Sequence, residues 1–453
     1  MLFLHLYLKG PLTNMTLPEH LSLKIPPSDY PRVIIVGGGF AGLQLARDLK
    51  NKKMQVVLLD RNNYHTFQPL LYQVATAGLE PDSIARPLRQ SFAGHGDFYF
   101  RMVKVTGLDL EKQEVQTPIG NLYYNYLVLA CGSVTNYFGQ DEVEQHAFPL
   151  KKVVHALDLR SHILQNFEQS VLTEDRKRRQ SLINIAIVGG GPTGVEVAGA
   201  LAELKKHVLP KDFPDIDFST MQIYLVEGAS RLLNSMSPAS GDRALHYLKK
   251  MGVTVLLDNT VKHYDGKIVY MGEDQELPCQ TLIWAAGVKG NLVEGLPLEA
   301  VMRDRVIVDN YNRVKPYPNV FAIGDLALME TEDFPVGHPM VAPVAIQQGK
   351  MLAKNLSRLN QQVPLRPFKY KDKGSMATVG RNKAVVDLPG GLRFGGWFAW
   401  LVWMFIHLIS LIGFRNKIVT LINWMWSYLT YDKGSRLIIR TFKKKAKDVR
   451  TPV

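Results

Sequence analysis

Runs of apolar residues that end in glycine-rich turns recur along the chain and predict buried parallel strands. Residues 32–50 combine an apolar run, a glycine turn and a helix-like stretch, and a second apolar run follows that ends at Asp60. The same order begins again at Asn184, and its second run ends at Glu227. Two strand–turn–helix units of this kind predict an α/β fold with two interleaved Rossmann-type domains.

The first glycine turn has the spacing Gly37-x-Gly39-x-x-Gly42 directly after the apolar run. In such turns the first glycine permits a tight bend, the second lets the backbone approach a pyrophosphate, and the third lets the helix pack closely. The phosphates then lie at the N-terminus of the helix, where free N–H groups favour negative charge. Asp60 lies 23 positions after Gly37 and can accept hydrogen bonds from ribose hydroxyls. The pattern predicts a dinucleotide site, with a plain surface turn as the alternative.

The second glycine turn, Gly189-x-Gly191-x-x-Gly194, has the same context. Its acidic residue, Glu227, comes 38 positions after Gly189, because a polar, proline-containing insertion occupies residues 205–220. A carboxylate at this place favours NADH, since the 2′-phosphate of NADPH would meet a negative charge. The alternative is that Glu227 is only a solvated strand end.

Two dinucleotide sites in one chain suggest one tightly bound flavin and one exchangeable nicotinamide. Three further strand-like runs carry glycine turns, at residues 126–133, 281–288 and 319–327. A chain of 453 residues suits two or three domains. We predict a disordered leader over 1–30, with the true start of the protein at Met1 or Met15. We further predict a split FAD domain over 31–150 and 300–392, an NADH domain over 151–299, and C-terminal membrane-attachment helices with a basic tail over 393–453.

Composition and charge narrow the class of protein. The net charge is +13, and residues 415–450 hold ten Lys/Arg against two acids. A basic tail beside an apolar segment indicates an anionic lipid surface rather than nucleic acid. The two cysteines, Cys131 and Cys279, are too few for a disulfide framework and have no zinc-ligand spacing. We expect Cys131 to act as a small buried apolar residue.

The last part of the chain predicts attachment to a membrane. Residues 394–414 contain no Asp, Glu, Lys or Arg and are long enough for a single span. In the next helix-like stretch, polar residues recur at helical spacing and form one stripe, which is typical of a helix that lies in the membrane interface. A span, an interfacial helix and a soluble dimer interface all remain open. The stripe consists of Thr420, Asn423, Ser427 and Thr430.

Four segments together, at residues 64–89, 189–204, 374–385 and 413–438, resemble the type II NADH:quinone oxidoreductases of the two-dinucleotide-binding flavoprotein superfamily. The resemblance extends from residue 32 to about residue 440. It implies an enzyme that passes electrons from NADH through FAD to a membrane quinone without pumping protons. It also implies a monotopic membrane protein, and leaves a homodimer open. The basic residues at the end of the chain favour the cytoplasmic face of the inner membrane.

The resemblance implies a set of site residues. Glu196 and Lys383 match catalytic positions, and Glu196 is expected in the first turn of its helix, where the dipole favours its charged form. The residues implied near FAD are Gly37, Gly38, Gly39, Phe40, Ala41, Gly42, Asp60, Arg61, Gln68, Val105, Asp325 and Ala345. Those implied for NADH are Gly189, Gly191, Gly194, Glu227 and Gly287.

One departure from the family concerns the quinone. The motif usually reads A-Q-x-A-x-Q, but this chain has Pro343 in place of the first glutamine. Gln347 or Gln348 is then the candidate quinone ligand, and the alternative is that both glutamines lie on a helix without a ligand. A sulfide:quinone reductase would need cysteines beside the flavin, and a ferredoxin-type reductase would have no lipid anchor. A non-catalytic flavoprotein remains the alternative from another class.

Overall fold

The structure is a computed structural model that describes residues 22–92, 94, 96–430, 434–438 and 441–442. The chain divides into two compact units, each assembled from three segments. The predicted leader lies outside the described residues as far as residue 21. The first unit consists of Met1–Asn63, Phe92–Gly132 and Asn291–Phe368, and the second of Tyr64–Ser91, Ser133–Gly290 and Lys369–Val453.

Each unit contains a five-stranded parallel sheet, so the predicted α/β class with two interleaved Rossmann-type domains is confirmed. The unit boundaries differ from the predicted domain boundaries. Segments 64–91, 133–150 and 369–392, which the sequence grouped with the first domain, belong to the second unit. Residues 291–299 belong to the first unit instead of the second. The assignment of FAD and NADH to particular ranges stays a prediction.

The parallel sheet of the first unit has its earliest strand at the centre, and in order of appearance the strands lie 5-4-1-2-3. The strand Arg32–Val36 pairs with Gln55–Asp60 on one side and with Tyr126–Leu129 on the other. Their apolar residues are almost all buried, which is why these strands read as continuous apolar runs rather than alternating ones. The five strands are Arg32–Val36, Gln55–Asp60, Phe98–Met102, Tyr126–Leu129 and Val320–Ala322.

Two helices pack together beside this sheet. The first Rossmann helix, Phe40–Asp48, contacts the long helix Ala342–Asn360 at Gly349, where a Cβ would lie 2.6 Å from the Ala41 carbonyl oxygen. The remaining elements of the first unit are the strands Gly107–Asp109, Glu114–Gln116, Leu122–Tyr123, Val301–Met302, Arg305–Ile307 and Ala327–Leu328, and the 3-10 helices Leu298–Ala300 and Gly324–Leu326.

The parallel sheet of the second unit repeats the same core. Its central strand, Ile185–Val188, pairs with Ile223–Val226 and with Thr281–Trp284. The second Rossmann helix, Pro192–His207, follows the central strand as the first one does in the other unit. The five strands are Phe148–Pro149, Ile185–Val188, Ile223–Val226, Val253–Leu256 and Thr281–Trp284.

The rest of the second unit consists of smaller sheets and helices. Its other strands are Tyr64–Thr66, Ala85–Pro87, Ser133–Thr135, Val261–Tyr264, Ile268–Met271, Gln275–Pro278, Val288–Gly290, Ser375–Thr378, Ala384–Asp387 and Arg393–Gly396. Its other helices are the 3-10 helix Gln68–Leu70 and the α-helices Leu71–Ala75, Pro81–Ile84, Leu88–Ser91, Asp141–His146, Val153–Leu172, Arg176–Ile183, Leu209–Asp212, Pro238–Lys250, Trp397–Ser410 and Phe414–Thr430.

The uncharged run at residues 394–414 does not form one helix. Its first residues belong to the strand Arg393–Gly396, and the aromatic helix, Trp397–Ser410, then ends before Gly413. Gly413 has a φ of +94°, a conformation that breaks a helix, and the terminal helix, Phe414–Thr430, begins directly after it. Among the described residues, no helix has both the length and the apolar character that a membrane crossing requires.

The second Rossmann helix packs closely against the hairpin turn, which we define as residues 379–383 between the strands Ser375–Thr378 and Ala384–Asp387. A Cβ on Gly199 would lie 2.6 Å from the Gly380 backbone nitrogen. A glycine in a helix interior costs about 1 kcal/mol relative to alanine, so its presence here indicates that close packing outweighs helix propensity.

We therefore expect Gly199→Ala to lower the free energy of unfolding by about 1–3 kcal/mol, the usual cost of overpacking, in spite of the gain in helix propensity. Gly434→Ala is the control, because this glycine is exposed outside any helix and a Cβ there would meet no atom within 4 Å. Urea denaturation of both variants measures the difference. A Gly199→Ala protein as stable as the wild type would show that the helix and the hairpin turn are not tightly packed.

Candidate functional site

The first glycine turn is enforced by its own backbone. Gly37 has a φ of +110°, and a Cβ there would lie 2.3 Å from the carbonyl oxygen of Ala130. A Cβ on Gly42 would lie 1.9 Å from the Gly37 carbonyl oxygen and 3.2 Å from the Ile35 side chain. The third glycine is therefore required mainly by the turn and less by packing against the strand. Gly39, by contrast, has open space beside it at the start of the first Rossmann helix.

Asp60 closes this turn from the neighbouring strand. Its Oδ2 accepts a hydrogen bond from the Gly38 backbone N–H at 2.6 Å, and its Oδ1 accepts one from the Asn62 N–H at 2.7 Å. Burial raises the pKa of the Asp60 carboxyl, and the Gly38 N–H acts in the opposite direction. Each carboxylate oxygen has lone pairs to spare, so the ribose contact predicted for Asp60 is sterically and chemically compatible with its position.

A second turn of the first unit converges on the same helix. Gly324 has a φ of +74°, and a Cβ there would lie 3.2 Å from the Cβ of Ala41 and 3.5 Å from that of Ala345. The predicted FAD residues Ala41, Asp325 and Ala345 are therefore brought together. The Gly324 N–H donates to Oε1 of Gln348 at 2.7 Å, while Nε2 of this buried amide has no protein partner among the described residues. A buried donor of this kind fits a bound polar group.

The glutamines proposed as quinone ligands lie in the helix Ala342–Asn360. Pro343 occupies its first turn, where a missing backbone N–H costs nothing, so the departure from the family motif is accommodated. Gln348 is fully buried and supports the Gly324 turn, whereas Gln347 is half-buried. Contact of either side chain with a quinone stays a prediction.

The other residues implied near FAD have mixed positions. Phe40 begins the first Rossmann helix, Arg61 is exposed and Val105 is half-buried, all within the first unit. Gln68 is exposed and belongs to the second unit. Cys131 lies half-buried in the turn after the strand Tyr126–Leu129, and burial raises the pKa of its thiol to about 12, so the sulfur is neutral.

The second unit repeats the geometry of the first glycine turn. Gly189 has a φ of +107°, and a Cβ there would lie 2.5 Å from the Ala285 carbonyl oxygen. A Cβ on Gly194 would lie 1.9 Å from the Gly189 oxygen, and Gly191 has open space beside it. Ala285 belongs to the turn that also contains Gly287, the remaining residue implied for NADH.

Glu227 occupies the position that Asp60 has in the other unit. Its Oε2 accepts a hydrogen bond from the Gly190 N–H, and its Oε1 accepts one from the Ala229 N–H at 2.8 Å. The late position of Glu227 in the sequence has the expected cause, because the short helix Leu209–Asp212 and its loops fill the insertion. Both glycine turns thus leave room for a phosphate at a helix N-terminus with a carboxylate beside it, as a bound dinucleotide requires.

Glu196 is a buried carboxyl inside the second unit, with 7% of its surface exposed. The Thr378 N–H donates to its Oε1 at 3.5 Å, and the buried indole N–H of Trp403 lies near it without a closer partner. Burial raises the pKa of the Glu196 carboxyl to about 8, against the smaller lowering effects of the Thr378 N–H and the Trp403 indole. The carboxyl is therefore mostly protonated at neutral pH.

This environment corrects the expectation that the helix dipole favours the charged form of Glu196. The second Rossmann helix begins at Pro192, so Glu196 is its fifth residue, and the first turn contains no acidic residue. The dipole acts mainly within the first turn, whereas desolvation acts on the whole buried carboxyl. Burial outweighs the dipole, and the neutral form predominates.

Two neighbours complete the surroundings of Glu196. Burial raises the pKa of Tyr72 well above its usual value, and the nearby Glu196 charge raises it further. Lys383 ends the hairpin turn, where its carbonyl oxygen accepts hydrogen bonds from the Val379 N–H at 2.8 Å and the Thr378 hydroxyl at 3.1 Å. The groups that shift the pKa of Glu196 do not include the Lys383 ammonium, so the catalytic role implied for Lys383 stays a prediction.

A pocket of about 120 Å³ lies behind the neighbours of Glu196, which is not itself part of the lining, and all of the lining belongs to the second unit. Thr378 and Trp403, which contact Glu196, line one part of the pocket. The polar groups Glu203 and His207 line another part, together with Arg381 of the hairpin turn. The Arg381 N–H donates to Oε1 of Glu203 at 2.9 Å. The pocket thus combines aromatic walls with a polar, titratable rim.

These rim residues escaped the sequence analysis, although a signal for them exists. Glu203 and His207 follow Glu196 by 7 and 11 positions on the second Rossmann helix. At 3.6 residues per turn these spacings place all three side chains on one face of the helix. The position of Trp403 and Arg381 opposite that face had no comparable signal, because it depends on tertiary packing.

The terminal helix turns most of its polar stripe toward the protein, whereas Thr430 at its end is exposed. Thr420 is fully buried and Ser427 lines the pocket. The Asn416 amide donates to the backbone oxygens of Asp82 and Ala85, each at 3.1 Å, and the Trp424 indole donates to the Gln73 side chain at 2.7 Å. The polar side of this helix therefore contacts the protein.

The opposite side of the same helix, and the outer side of the aromatic helix, expose large apolar residues. The side chains that are at least half exposed include Trp397, Phe398, Phe405, Ile409, Phe414, Ile422, Met425, Trp426 and Leu429. We call this set the apolar surface. Large apolar side chains exposed in such number on two successive helices indicate a site of contact with a protein or a membrane.

The basic tail lies mostly outside the described residues. Of its described members, Arg436 forms an ion pair with Asp212 at 2.6 Å, and Arg415 forms an exposed one with Asp82 at 3.3 Å. These two charges are matched by acids of the protein, so the attraction to anionic lipid predicted for the tail depends on its other residues.

Comparison with known proteins places this geometry in a family. Residues 31–349 match the family model of the pyridine nucleotide-disulphide oxidoreductases, and residues 373–431 match that of the NDH2 C-terminal domain. The chain is 37% identical to the type II NADH:quinone oxidoreductase Ndh of Mycobacterium tuberculosis, over 93% of each chain. It is 30% identical to a probable NADH dehydrogenase of Dictyostelium discoideum, over 87% of this chain and 88% of that one.

Solved structures show the same fold. The structure of NDH2 from Plasmodium falciparum in complex with NADH superposes with a TM-score of 0.83 at 22% identity, and covers 90% of this chain and 100% of that one. The sulfide:quinone oxidoreductase of Aquifex aeolicus has a TM-score of 0.67 at 18% identity, with 85% and 92% covered. The extent of the sequence matches and both family models lead to one conclusion: the chain belongs to the type II NADH:quinone oxidoreductases.

Proposed function

We propose that this protein oxidises NADH and reduces a membrane quinone, with FAD as its bound flavin and Glu196 as the proton donor. The observation that carries the proposal is the Glu196 carboxyl, which is buried and protonated at neutral pH beneath the aromatic helix. Reduction of a quinone needs protons as well as electrons, and a neutral buried carboxyl can supply one. A protein that only bound nucleotides would have no use for it.

The two glycine turns account for the nucleotides. The Gly37 turn, with Asp60 and the Gly324 turn nearby, fits the tightly bound FAD, and the Gly189 turn with Glu227 fits NADH. The flavin, when bound, accepts a hydride from NADH and gives two electrons to the quinone. The residues of the chain bind and orient the nucleotides, exclude water and deliver the proton.

The apolar surface supports delivery of the enzyme to its quinone. Exposed tryptophans and large aliphatic side chains are typical of a helix that lies in the interface of a bilayer. We propose monotopic attachment at the cytoplasmic face, since basic residues favour that side and the sequence concentrates them after residue 430. Anionic lipid and long-chain quinone are then the partners on this side of the molecule.

Turnover of the purified full-length protein tests the proposed function. We expect reduction of quinone with NADH, a much lower kcat/KM with NADPH, and complete release of the flavin as FAD by acid. Glu227→Gln should lower the ratio of kcat/KM for NADH to kcat/KM for NADPH, because it removes the charge that repels the 2′-phosphate. One side-chain oxygen remains to accept a hydrogen bond from the turn. Flavin without quinone reduction would favour a non-catalytic flavoprotein, and release of FMN would refute the FAD assignment.

Glu196→Gln tests the proton donor through kinetics. We expect the variant to retain FAD and to be reduced by NADH at the wild-type rate. Reduction of quinone should slow by roughly 100-fold, the usual contribution of a general acid. Stopped-flow measurement of the two half-reactions separates these effects. An unchanged quinone half-reaction would remove Glu196 from the mechanism.

The same substitution changes the pH dependence of stability. Glu196 keeps its proton in the folded protein up to a pKa of about 8 but loses it near 4.5 when unfolded, so the free energy of unfolding falls as pH rises through this window. The Glu196→Gln variant should lack this pH dependence. Its free energy of unfolding should exceed that of the wild type by an amount that grows by roughly 1.4 kcal/mol per pH unit and levels off above pH 8. Glu111→Gln, at an exposed position, is the control and should show no such divergence.

Charges placed on the apolar surface test the attachment. We expect the double variant Phe405→Glu/Ile422→Glu to bind anionic vesicles at least about tenfold more weakly, a loss of about 1.4 kcal/mol. Leu298→Glu, an exposed leucine of the first unit, is the matched control. High salt should weaken wild-type binding only in part, because salt does not screen apolar contacts. Vesicle binding that is equal for all three proteins would exclude the apolar surface as the membrane contact.

A further inference from the structure

The proposed function creates a need for protons that the buried Glu196 cannot meet alone. NADH and quinone react to NAD⁺ and quinol, and NADH supplies two electrons with one hydrogen. The second hydrogen of the quinol comes from water as H⁺, once in each turnover. A carboxyl with 7% of its surface exposed must therefore regain a proton from solution after every reaction cycle.

The pocket beside Glu196 provides a route of suitable size. Its volume of about 120 Å³ is several times the space that one water molecule needs. Thr378 and Trp403 line it where it approaches the Glu196 carboxyl. The Gln73 amide and the Thr76 hydroxyl contribute further polar groups to its wall, so the pocket can hold hydrogen-bonded water rather than remain dry.

The second Rossmann helix runs from Glu196 to the polar rim of the pocket. Glu196, Ala200, Glu203 and His207 lie on one face of this helix, at successive spacings of 4, 3 and 4 residues. Seven residues of helix span about 10 Å, which is too far for direct proton transfer from Glu203 to Glu196. Ala200 lines the pocket at the midpoint, and its small side chain leaves the space that water needs.

The rim residues are suited to exchange protons with solution. Glu203 and His207 are both half-buried, so each contacts the pocket and remains accessible to solvent. Burial lowers the pKa of the His207 imidazole, the Glu203 charge raises it, and the charges of Lys206, Arg381 and Lys211 lower it. Histidine is the side chain whose ordinary pKa is closest to neutrality, so it can both take up and release a proton there.

The remaining neighbours do not compete for this role. From the helix Leu71–Ala75, Tyr72 faces Glu196, but burial raises its pKa well above the usual value. From the aromatic helix, His407 stacks on Trp403 with ring centroids 4.0 Å apart, and burial lowers its pKa to about 4. From the terminal helix, Trp424, Ser427 and Tyr428 line the pocket, and none of them is a carboxyl or an imidazole that could exchange a proton near neutral pH.

We propose that the pocket rimmed by Glu203 and His207 is the proton inlet that reloads Glu196. The Glu196 carboxyl gives its proton to a quinone oxygen and becomes a carboxylate. A water molecule in the pocket protonates this carboxylate and regains a proton from Glu203 or His207, which recover theirs from bulk water. Only O–H and N–H bonds form and break in this relay, and no electrons are transferred. Glu203 and His207 act through Glu196 and do not touch the quinone.

The test uses the full-length holoenzyme and the variants Glu203→Gln, His207→Gln and their combination. We expect the double variant to reduce a water-soluble quinone roughly tenfold more slowly at pH 8.5, with a smaller loss at pH 6, where protons are more plentiful. The KM for quinone and the rate of reduction by NADH should not change. Oxidation of the NADH-reduced protein by ferricyanide, which accepts electrons but no proton, should also stay at the wild-type rate.

Two further measurements distinguish a relay from a structural role. The solvent deuterium isotope effect on quinone reduction should rise in the double variant, and added imidazole should restore the rate of Glu203→Gln/His207→Ala, which lacks both relay groups. Lys250→Gln is the matched control, because this exposed lysine of the same unit lies outside the pocket and is not among the charges that shift the pKa of His207. It should keep the wild-type rate at pH 8.5.

Two outcomes would overturn the proposal. A raised KM for quinone with an unchanged pH profile would make the pocket a quinone site, and an unchanged quinone half-reaction in the double variant would place the proton route elsewhere. Failure of the proposed function has a different signature, since the wild-type protein itself would then not reduce quinone with NADH.

Discussion

The buried Glu196 carboxyl is the constraint on which the arrangement of the second unit depends. An uncompensated carboxylate in such a place would be costly, and the protein meets this cost by keeping the group protonated. The strand Ser375–Thr378 and the aromatic helix cover the carboxyl through Thr378 and Trp403. The close approach at Gly199 fixes the hairpin turn on the helix that carries Glu196. Fold and chemistry therefore depend on the same few contacts.

Much of the fold could be predicted because the relevant signals are local. Continuous apolar runs followed by spaced glycines define both nucleotide turns, and the positive φ of Gly37 and Gly189 shows why these glycines are required. The strand-end acids Asp60 and Glu227 also follow from local order. Glu227 can be predicted in spite of the long insertion before it, because the strand that precedes it identifies the acid and its spacing from the glycines does not.

The chemistry of Glu196 could not be predicted in the same way. Its position on the helix was almost correctly predicted, but the sign of its electrostatics was not, because the dipole is a local property and burial is a tertiary one. The unit boundaries differ for a related reason, since three segments distant in sequence contribute to each unit. In the polar rim of the pocket, the shared helix face of Glu203 and His207 follows from their spacing in the sequence. The position of Arg381 beside Glu203 depends on tertiary packing.

The terminal helix has one further consequence, which concerns the order of assembly. On its polar side, Asn416 donates to the backbone near Asp82 and Trp424 donates to Gln73, so these groups find their partners only on the folded protein. Its apolar side has no such partner among the described residues of the chain and is left facing outward. The polar side of the helix is thus buried against the protein, whereas the apolar side is suited to burial in a bilayer. A bilayer that receives the apolar side before the core has folded would leave the polar side unsatisfied, which favours completion of the core before attachment.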